Sequence, residues 1–181
     1  KINYIEVSSN NPDVIYVNQQ PASGSTGKLW KTTDGGVSWT SLTIPSGNSR
    51  RILLAVDPVN DQNIWMAYPD GSNGNKIFKS TDGGLNWTNI SSSVLNNESV
   101  QSISHIAGTD GGIYYFTNQS VYYRNNTDDW QIDNQGLPLY INSDIARPFY
   151  RDSKIRVASY GKGIWESPLN ETPDFPIARI S

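Results

Sequence analysis

The residues best placed to do chemistry are few and fall in a pattern. Thr32-x-Asp34-x-Gly36-x-Ser38-Trp39 and Ser80-x-Asp82-x-Gly84-x-Asn86-Trp87 each set a hydroxyl two residues before a carboxylate and a glycine two residues after it. A short carboxylate so placed accepts backbone N–H groups of its own turn, glycine tolerates positive φ, and the hydroxyl bonds locally. The competing chemistry, an aspartic acid that donates a proton, needs a second carboxyl group across the substrate. There are four glutamates, Glu6, Glu98, Glu166 and Glu171, and none stands in a recognisable motif. Glu6 falls on a predicted strand and Glu98 in a loop, so either is able to face a ligand. His105 is the one histidine and the one candidate base for a Ser-His-Asp triad, although a lone histidine on a strand is more often packed or solvated. With no cysteine, thiolate metal sites, disulfides and thiol catalysis are excluded, and no metal or cofactor is expected. Asp70-Gly71-Ser72-Asn73-Gly74-Asn75 is rich in oxygen donors but lacks the regular spacing, closed by a distal Glu, of a Ca²⁺ loop.

The elements that must carry these residues follow from a repeat. The stretch from Lys28 to Thr40 recurs from Lys76 to Thr88, 48 residues on, and the stretch from Val7 to Val17 is echoed from Val56 to Met66, 49 residues on. Each unit reads as four short strands bounded by turn residues. In the first unit they fall near residues 4–7, 14–18, 28–32 and 38–42, and in the second near 52–56, 64–68, 76–80 and 86–90. A third, degenerate unit follows at 102–106, 113–116, 120–124 and 129–132; Asn125-Asn126-Thr127-Asp128-Asp129-Trp130 stands there in place of the Asp-Gly-Gly turn, with Thr127 or Asp128 near the Asp position. A fourth unit has three strands, near 145–150, 154–159 and 163–167, before a Pro-rich stretch. No segment has a helical period. Units of four antiparallel strands at this spacing predict an all-β fold, a β-propeller with about four blades, a partial ring; a β-sandwich is the rival, but it does not need the same turn at every fourth strand.

Composition narrows the partners. The 181 residues carry 14 Lys and Arg against 17 Asp and Glu, a formal charge of -3, with the basic residues scattered, so no nucleic-acid footprint is present. No apolar run approaches the length of a membrane span, and no signal-peptide pattern opens the chain, which starts at Lys1 as if cut or processed. Richness in Asn, Ser, Thr, Tyr and Trp favours turns and strands over helices.

The two repeated turns resemble the Asp-box, or bacterial neuraminidase repeat, found in sialidases, Asp-box xyloglucanases and sortilin-type propellers. The resemblance covers residues 1–168 and implies that Thr32, Asp34, Gly36, Trp39, Ser80, Asp82, Gly84 and Trp87 are structural, on the outer rim away from any substrate. It also implies that ligands meet the loops joining the second strand to the third and each unit to the next: 19–27, 69–75, 117–119 and 160–162, with 44–51, 91–100 and 134–142. Arg51, Tyr68, Asp70 and Tyr160 are the candidate ligand-binding residues there. Arg50, Arg51, Arg147, Arg151 and Arg156 form no recognisable sialidase arginine motif. Two functions stay open: a segment of a secreted or cell-surface bacterial carbohydrate-active protein that binds a polysaccharide or glycan, its catalytic carboxylates not all in this chain, or a non-enzymatic propeller that binds protein or peptide. Residues 169–181 read as a linker and either the start of a PKD-like module or a strand that closes the last unit. Because end blades expose apolar faces, the chain is expected to associate with the rest of a propeller or with a second copy.

Overall fold

A computed structural model describes residues 1–22, 26–47, 49–134, 136–137 and 143–174. The chain divides into two compact units, Lys1–Ser99 and Val100–Ser181. Unit 1 holds two antiparallel meanders. Strands β1 (Ile2–Val7), β2 (Ile15–Gln19), β3 (Lys28–Thr32) and β4 (Thr40–Leu42) form the first sheet, and β5 (Leu53–Val56), β6 (Ile64–Ala67), β7 (Ile77–Ser80) and β8 (Thr88–Asn89) the second. Unit 2 holds β9 (Val100–His105), β10 (Ile113–Thr117), β11 (Val121–Arg124) and β12 (Gln131–Ile132), then a three-stranded sheet of β13 (Ser143–Phe149), β14 (Lys154–Ser159) and β15 (Gly163–Pro168). Fifteen strands thus stand where the sequence places them, among the described residues, with shorter fourth strands. β4 begins at Thr40 and β8 at Thr88 because the preceding Ser38-Trp39 and Asn86-Trp87 are held in the turns.

Alternation along the strands gives each sheet two faces. In the first sheet Tyr4, Asn18, Leu29 and Leu42 are in register on one face, with Tyr16 beside Lys31, while Ile5, Val17 and Trp30 are in register on the other. In the second sheet Leu54, Met66 and Phe78 are in register. The core of unit 1 joins Val14, Tyr16, Leu29 and Leu42 of the first repeat to Ile52, Leu54, Ile64, Met66, Tyr68 and Phe78 of the second. Burying each such side chain contributes about 1.5–3 kcal/mol before entropy is counted. A buried amide fixes the register between the sheets: Asn18 donates from Nδ2 to the Lys28 carbonyl at 3.2 Å and accepts the Ile52 N–H at 3.0 Å.

In unit 2, Ile106, Tyr114, Phe116, Val121 and Tyr123 pack on Ala146, Ile155 and Val157. Residues 169–174, which the sequence assigns to a linker, run as a strap over this unit. Leu169 packs against the core and donates its N–H to the Ser153 carbonyl at 2.8 Å, the Asn170 N–H reaches the Tyr114 hydroxyl at 2.9 Å, and the Asp174 N–H reaches the Gly108 carbonyl at 2.7 Å. Residues 175–181, on which the choice between a closing strand and a further module turns, lie outside the described residues, as do parts of the 19–27, 44–51 and 134–142 loops. Among the described residues the only helical element is a 3₁₀ turn, Ser93–Leu95, and no helix is long and apolar enough to cross a membrane.

Candidate functional site

The repeated turns close on themselves. Asp34 accepts the Thr32 hydroxyl at 2.6 Å, the Ser38 hydroxyl at 2.5 Å and the Ser38 N–H at 2.9 Å, while the Thr32 oxygen receives the Gly36 N–H at 3.0 Å. Asp82 accepts the Ser80 hydroxyl at 2.8 Å, the Asn86 N–H at 2.9 Å and the Asn86 amide at 2.7 Å, and the Ser80 oxygen receives the Gly84 N–H at 2.8 Å. Both glycine pairs take positive φ, 67° and 97° at Gly35 and Gly36, and 69° and 93° at Gly83 and Gly84. Hydrogen bonds from Ser38, hydroxyl first, then N–H, and from Thr32 hold the Asp34 carboxyl down at about 2; the Asn86 N–H and amide and then the Ser80 hydroxyl do the same for Asp82, also about 2. Carboxylates this acidic stay ionised at neutral pH and are unsuited to donate a proton.

The second turn is also gripped from the neighbouring sheet. The Gly83 carbonyl accepts the Tyr16 hydroxyl at 3.3 Å and the Lys31 ammonium at 3.1 Å, and that ammonium lies 5.4 Å from the Tyr16 ring centre. Burial lowers the Lys31 pKa, opposed by Asp61 and Asp82, and burial raises that of the Tyr16 hydroxyl. A Cβ on Gly84 would sit 2.7 Å from Leu42 Cδ1 and 3.3 Å from Ile64 Cδ1.

In the third repeat neither Thr127 nor Asp128 takes the carboxylate's place. Asn125 does: its Oδ1 accepts the N–H groups of Thr127 and Asp128 at 2.9 and 2.5 Å. Asp110 accepts the Asn126 amide and the Thr127 hydroxyl, each at 3.0 Å. Glu171, from the strap, accepts the Asn125 amide and the Asp110 N–H.

At the opposite strand ends of unit 1 the loops of both sheets are laced together. The Gly27 N–H bonds the Ser49 carbonyl at 3.0 Å, Thr26 donates to the Gly47 carbonyl, and Arg50 Nη2 donates to the Pro21 carbonyl at 2.7 Å. The 69–75 loop meets the 91–99 loop through amides: Asn97 N–H to Asn73 Oδ1 at 2.8 Å, Asn73 Nδ2 to Asn97 Oδ1 at 3.2 Å, and Gly74 N–H to Asn96 Oδ1 at 3.2 Å. Beneath them Lys76 is buried and donates to the Glu98 carbonyl at 2.6 Å; burial lowers its pKa, opposed by Glu98 and Asp70. This amide lacing and the buried Lys76 are not readable from spacing, because they depend on two loops meeting through tertiary structure.

Arg51 and Asp70 are exposed at this end, and the Leu53 to Ala67 register sets them at the same end of the second sheet. Tyr68 is different: it is fully buried, its hydroxyl donated to the Pro45 carbonyl at 2.6 Å and its ring covering Gly47, so it offers no stacking face to a ligand. Tyr160, in unit 2, is 78% exposed in the β14–β15 turn. Among the glutamates, Glu166 is bound to Lys154 and Arg156, and Glu171 is bound in the strap. His105 is buried, its Nδ1 2.7 Å from the Gly112 carbonyl. Among the described residues no group of three His, Cys, Asp or Glu is arranged to hold a metal ion.

No family profile matches the chain, and none of the curated proteins matches it in sequence. Solved structures do match it in fold. An ancestral GH74 enzyme shares 20% identity at a TM-score of 0.72 over 92% of this chain and 25% of that one. The GH74 xyloglucanase from Xanthomonas campestris shares 14% at 0.67, over 91% and 29%. YCF48 bound to D1 peptide shares 16% at 0.60, over 95% and 52%. The chain therefore spans about a quarter to a half of the proteins it resembles. At such identities the likeness is one of architecture: the four sheets are blades of a β-propeller fold.

Proposed function

We propose that this chain is a segment of an Asp-box β-propeller from an exported, carbohydrate-active protein, serving as scaffold and presenting a glycan-binding face. The observation that carries this reading is the laced loop face of unit 1, where Arg51, Asp70, Asn73 and Asn97 are exposed beside one another's loops. Carboxamides have two donors and two acceptor lone pairs each, so the Asn73–Asn97 pair keeps bonding capacity for vicinal hydroxyls. The Asp-box reading of the turns is supported by the carboxylate and glycine geometry at Asp34 and Asp82, and the carbohydrate reading by the likeness to two GH74 enzymes. Asp34, Asp82, Glu166 and Glu171 are all engaged in structural bonds, so catalysis in the parent protein draws on other carboxylates.

Affinity electrophoresis of the purified chain in gels containing xyloglucan tests the reading. Retardation is expected, and it should weaken about tenfold or more in an Asp70→Ala, Arg51→Ala variant, the loss of two polar anchors. Migration unchanged by xyloglucan and by other soluble β-glucans overturns it. A second reading, peptide recognition, is favoured by the match to a peptide-bound YCF48 and by the exposed Tyr160. It predicts enrichment of peptides that is lost in Tyr160→Ala and untouched by glucan.

A further inference from the structure

We infer that Asn73-Gly74 is a self-modification site, an asparagine that cyclises onto the next backbone nitrogen and hydrolyses to isoaspartate; the amide lacing restrains the reaction, and its product unfastens the lacing. The inference goes beyond the glycan reading and needs no glycan. Of all the asparagines in the chain, only Asn73 precedes a glycine. A glycine has no Cβ to crowd the approach of its own nitrogen to the preceding side chain. Asn73 and Gly74 are both exposed, and a Cβ placed on Gly74 would meet nothing within 4 Å, so the site is open to water.

The chemistry is an intramolecular acyl transfer whose one co-reactant is water. The Gly74 nitrogen gives its proton to solvent and attacks Cγ of Asn73. The new C–N bond closes a five-membered imide, the Cγ–Nδ2 bond breaks, and the amide nitrogen leaves as ammonia with a proton drawn from water. Water then opens the imide at one of its two carbonyls. Opening at Cγ leaves an ordinary aspartate; opening at the main-chain carbonyl leaves isoaspartate, whose backbone runs on through Cβ and Cγ. No group is oxidised or reduced.

The native loops engage both reacting groups elsewhere. The Gly74 N–H donates to Asn96 Oδ1 at 3.2 Å, and the Gly74 carbonyl accepts Asn89 Nδ2 at 2.9 Å, which fixes the peptide units on either side of Gly74. The Asn73 amide is held at both ends by Asn97, its Oδ1 accepting the N–H at 2.8 Å and its Nδ2 donating to Oδ1 at 3.2 Å. Cyclisation needs the Gly74 nitrogen to leave Asn96 and the Asn73 amide to turn from Asn97, so it proceeds from the fraction of molecules in which these loops are open. Isoaspartate then makes the opening permanent: the extra main-chain carbon displaces Gly74 from Asn89 and Asn96, and the lost Nδ2 no longer serves Asn97 Oδ1.

Peptide mapping by mass spectrometry during incubation in warm buffer tests this, with electron-transfer fragmentation to separate isoaspartate from aspartate. Asn73 is expected to be converted ahead of every other asparagine, and about tenfold or more slowly in the folded chain than in urea. Asn96→Ala, which frees the Gly74 N–H, should speed conversion in the folded chain about three- to tenfold and leave the rate in urea unchanged; Asn89→Ala is a second variant for the same restraint, and circular dichroism checks that each is folded. Asn73→Gln should abolish the reaction. Hydrogen exchange at the Asn97 and Gly74 N–H groups should speed up in the isoaspartate product, whereas Asn73→Asp should keep the Asn97 N–H protected, since a carboxylate still accepts it. Conversion of another asparagine first overturns the inference. So do rates in the folded chain that neither Asn96→Ala nor Asn89→Ala changes, or isoaspartate that leaves exchange at Asn97 as it was. These readouts stand whether or not the chain binds xyloglucan.

Discussion

The turn between the third and fourth strands is built in two ways in this chain. In the first two blades the turn supplies its own partners: a carboxylate collects the hydroxyl two residues before it and the N–H four residues after it, and two glycines bend the backbone. In the third blade the glycines are gone. There Asn125 caps the turn, Asp110 binds it from the β9–β10 loop, and Glu171 binds both from the strap 46 residues downstream. The same connection can be stabilised by bonds local in sequence or by bonds that exist only once the rest of the unit has folded. The local version is a motif. The non-local version leaves no motif.

This contrast ranks the effects of substitution. Gly84→Ala should be the most damaging, because its Cβ meets Leu42 and Ile64 while φ is 93°; strain and overpacking together cost about 2–4 kcal/mol in urea unfolding. Gly36→Ala at φ 97° meets only the Trp39 ring, at 3.6 Å, and should cost about 1–2 kcal/mol. Equal losses at the two sites would show that the neighbouring blade adds nothing to the turn. Glu171→Ala should cost about 1–2 kcal/mol by leaving the Asn125 amide and Asp110 N–H without their carboxylate. Hydrogen exchange should then speed up at Asp110 and in the 125–129 turn and stay unchanged in the 32–39 and 80–87 turns.

Acid should divide the turns in the other direction. Asp34 and Asp82 are held at about 2, below the ordinary 3.8 of the unfolded chain, so the stability they contribute is full above about pH 4 and is lost as pH falls toward 2. The Asp34→Asn, Asp82→Asn double variant should be less stable at pH 7 and show a shallower loss between pH 4 and 2. A slope identical to that of the unaltered chain would mean the carboxylates are not held by these bonds. The smallest effect expected is at Trp39, exposed and, among the described residues, bonded through its indole N–H to the Gly36 carbonyl at 3.1 Å. In dilute protein Trp39→Ala should cost under about 1 kcal/mol, less than Trp87→Ala, whose ring packs on the core of unit 1.

These differences explain what could be read in the sequence. The strands of all four blades were legible because alternation and turn residues are local, and the three-strand count of the fourth blade came from the same signals. The Asp34 and Asp82 turns were legible for the same reason. Asn125 was not, since its capping role is defined by the N–H groups of Thr127 and Asp128 folding back onto it rather than by a spacing shared with the other turns. On the loop face, Arg51 and Asp70 are exposed as a loop reading expects, but Tyr68 was misleading. A tyrosine at the end of a strand looks like a platform until Gly47, with no side chain of its own, lets its ring pack against the adjoining loop. Lys76, which the sequence places at the start of a strand, is a buried donor to the Glu98 carbonyl in the fold, a role that no local pattern marks.

The grip of Tyr16 and Lys31 on the Gly83 carbonyl has a consequence for how such a chain tolerates damage. Each sheet is built from strands adjacent in sequence, and the carbonyl clasp is a coupling term between nearest neighbours. Within unit 1 cooperativity then passes from blade to neighbouring blade, as in a one-dimensional array. A lesion in the second blade's turn weakens the first blade through its tyrosine and lysine.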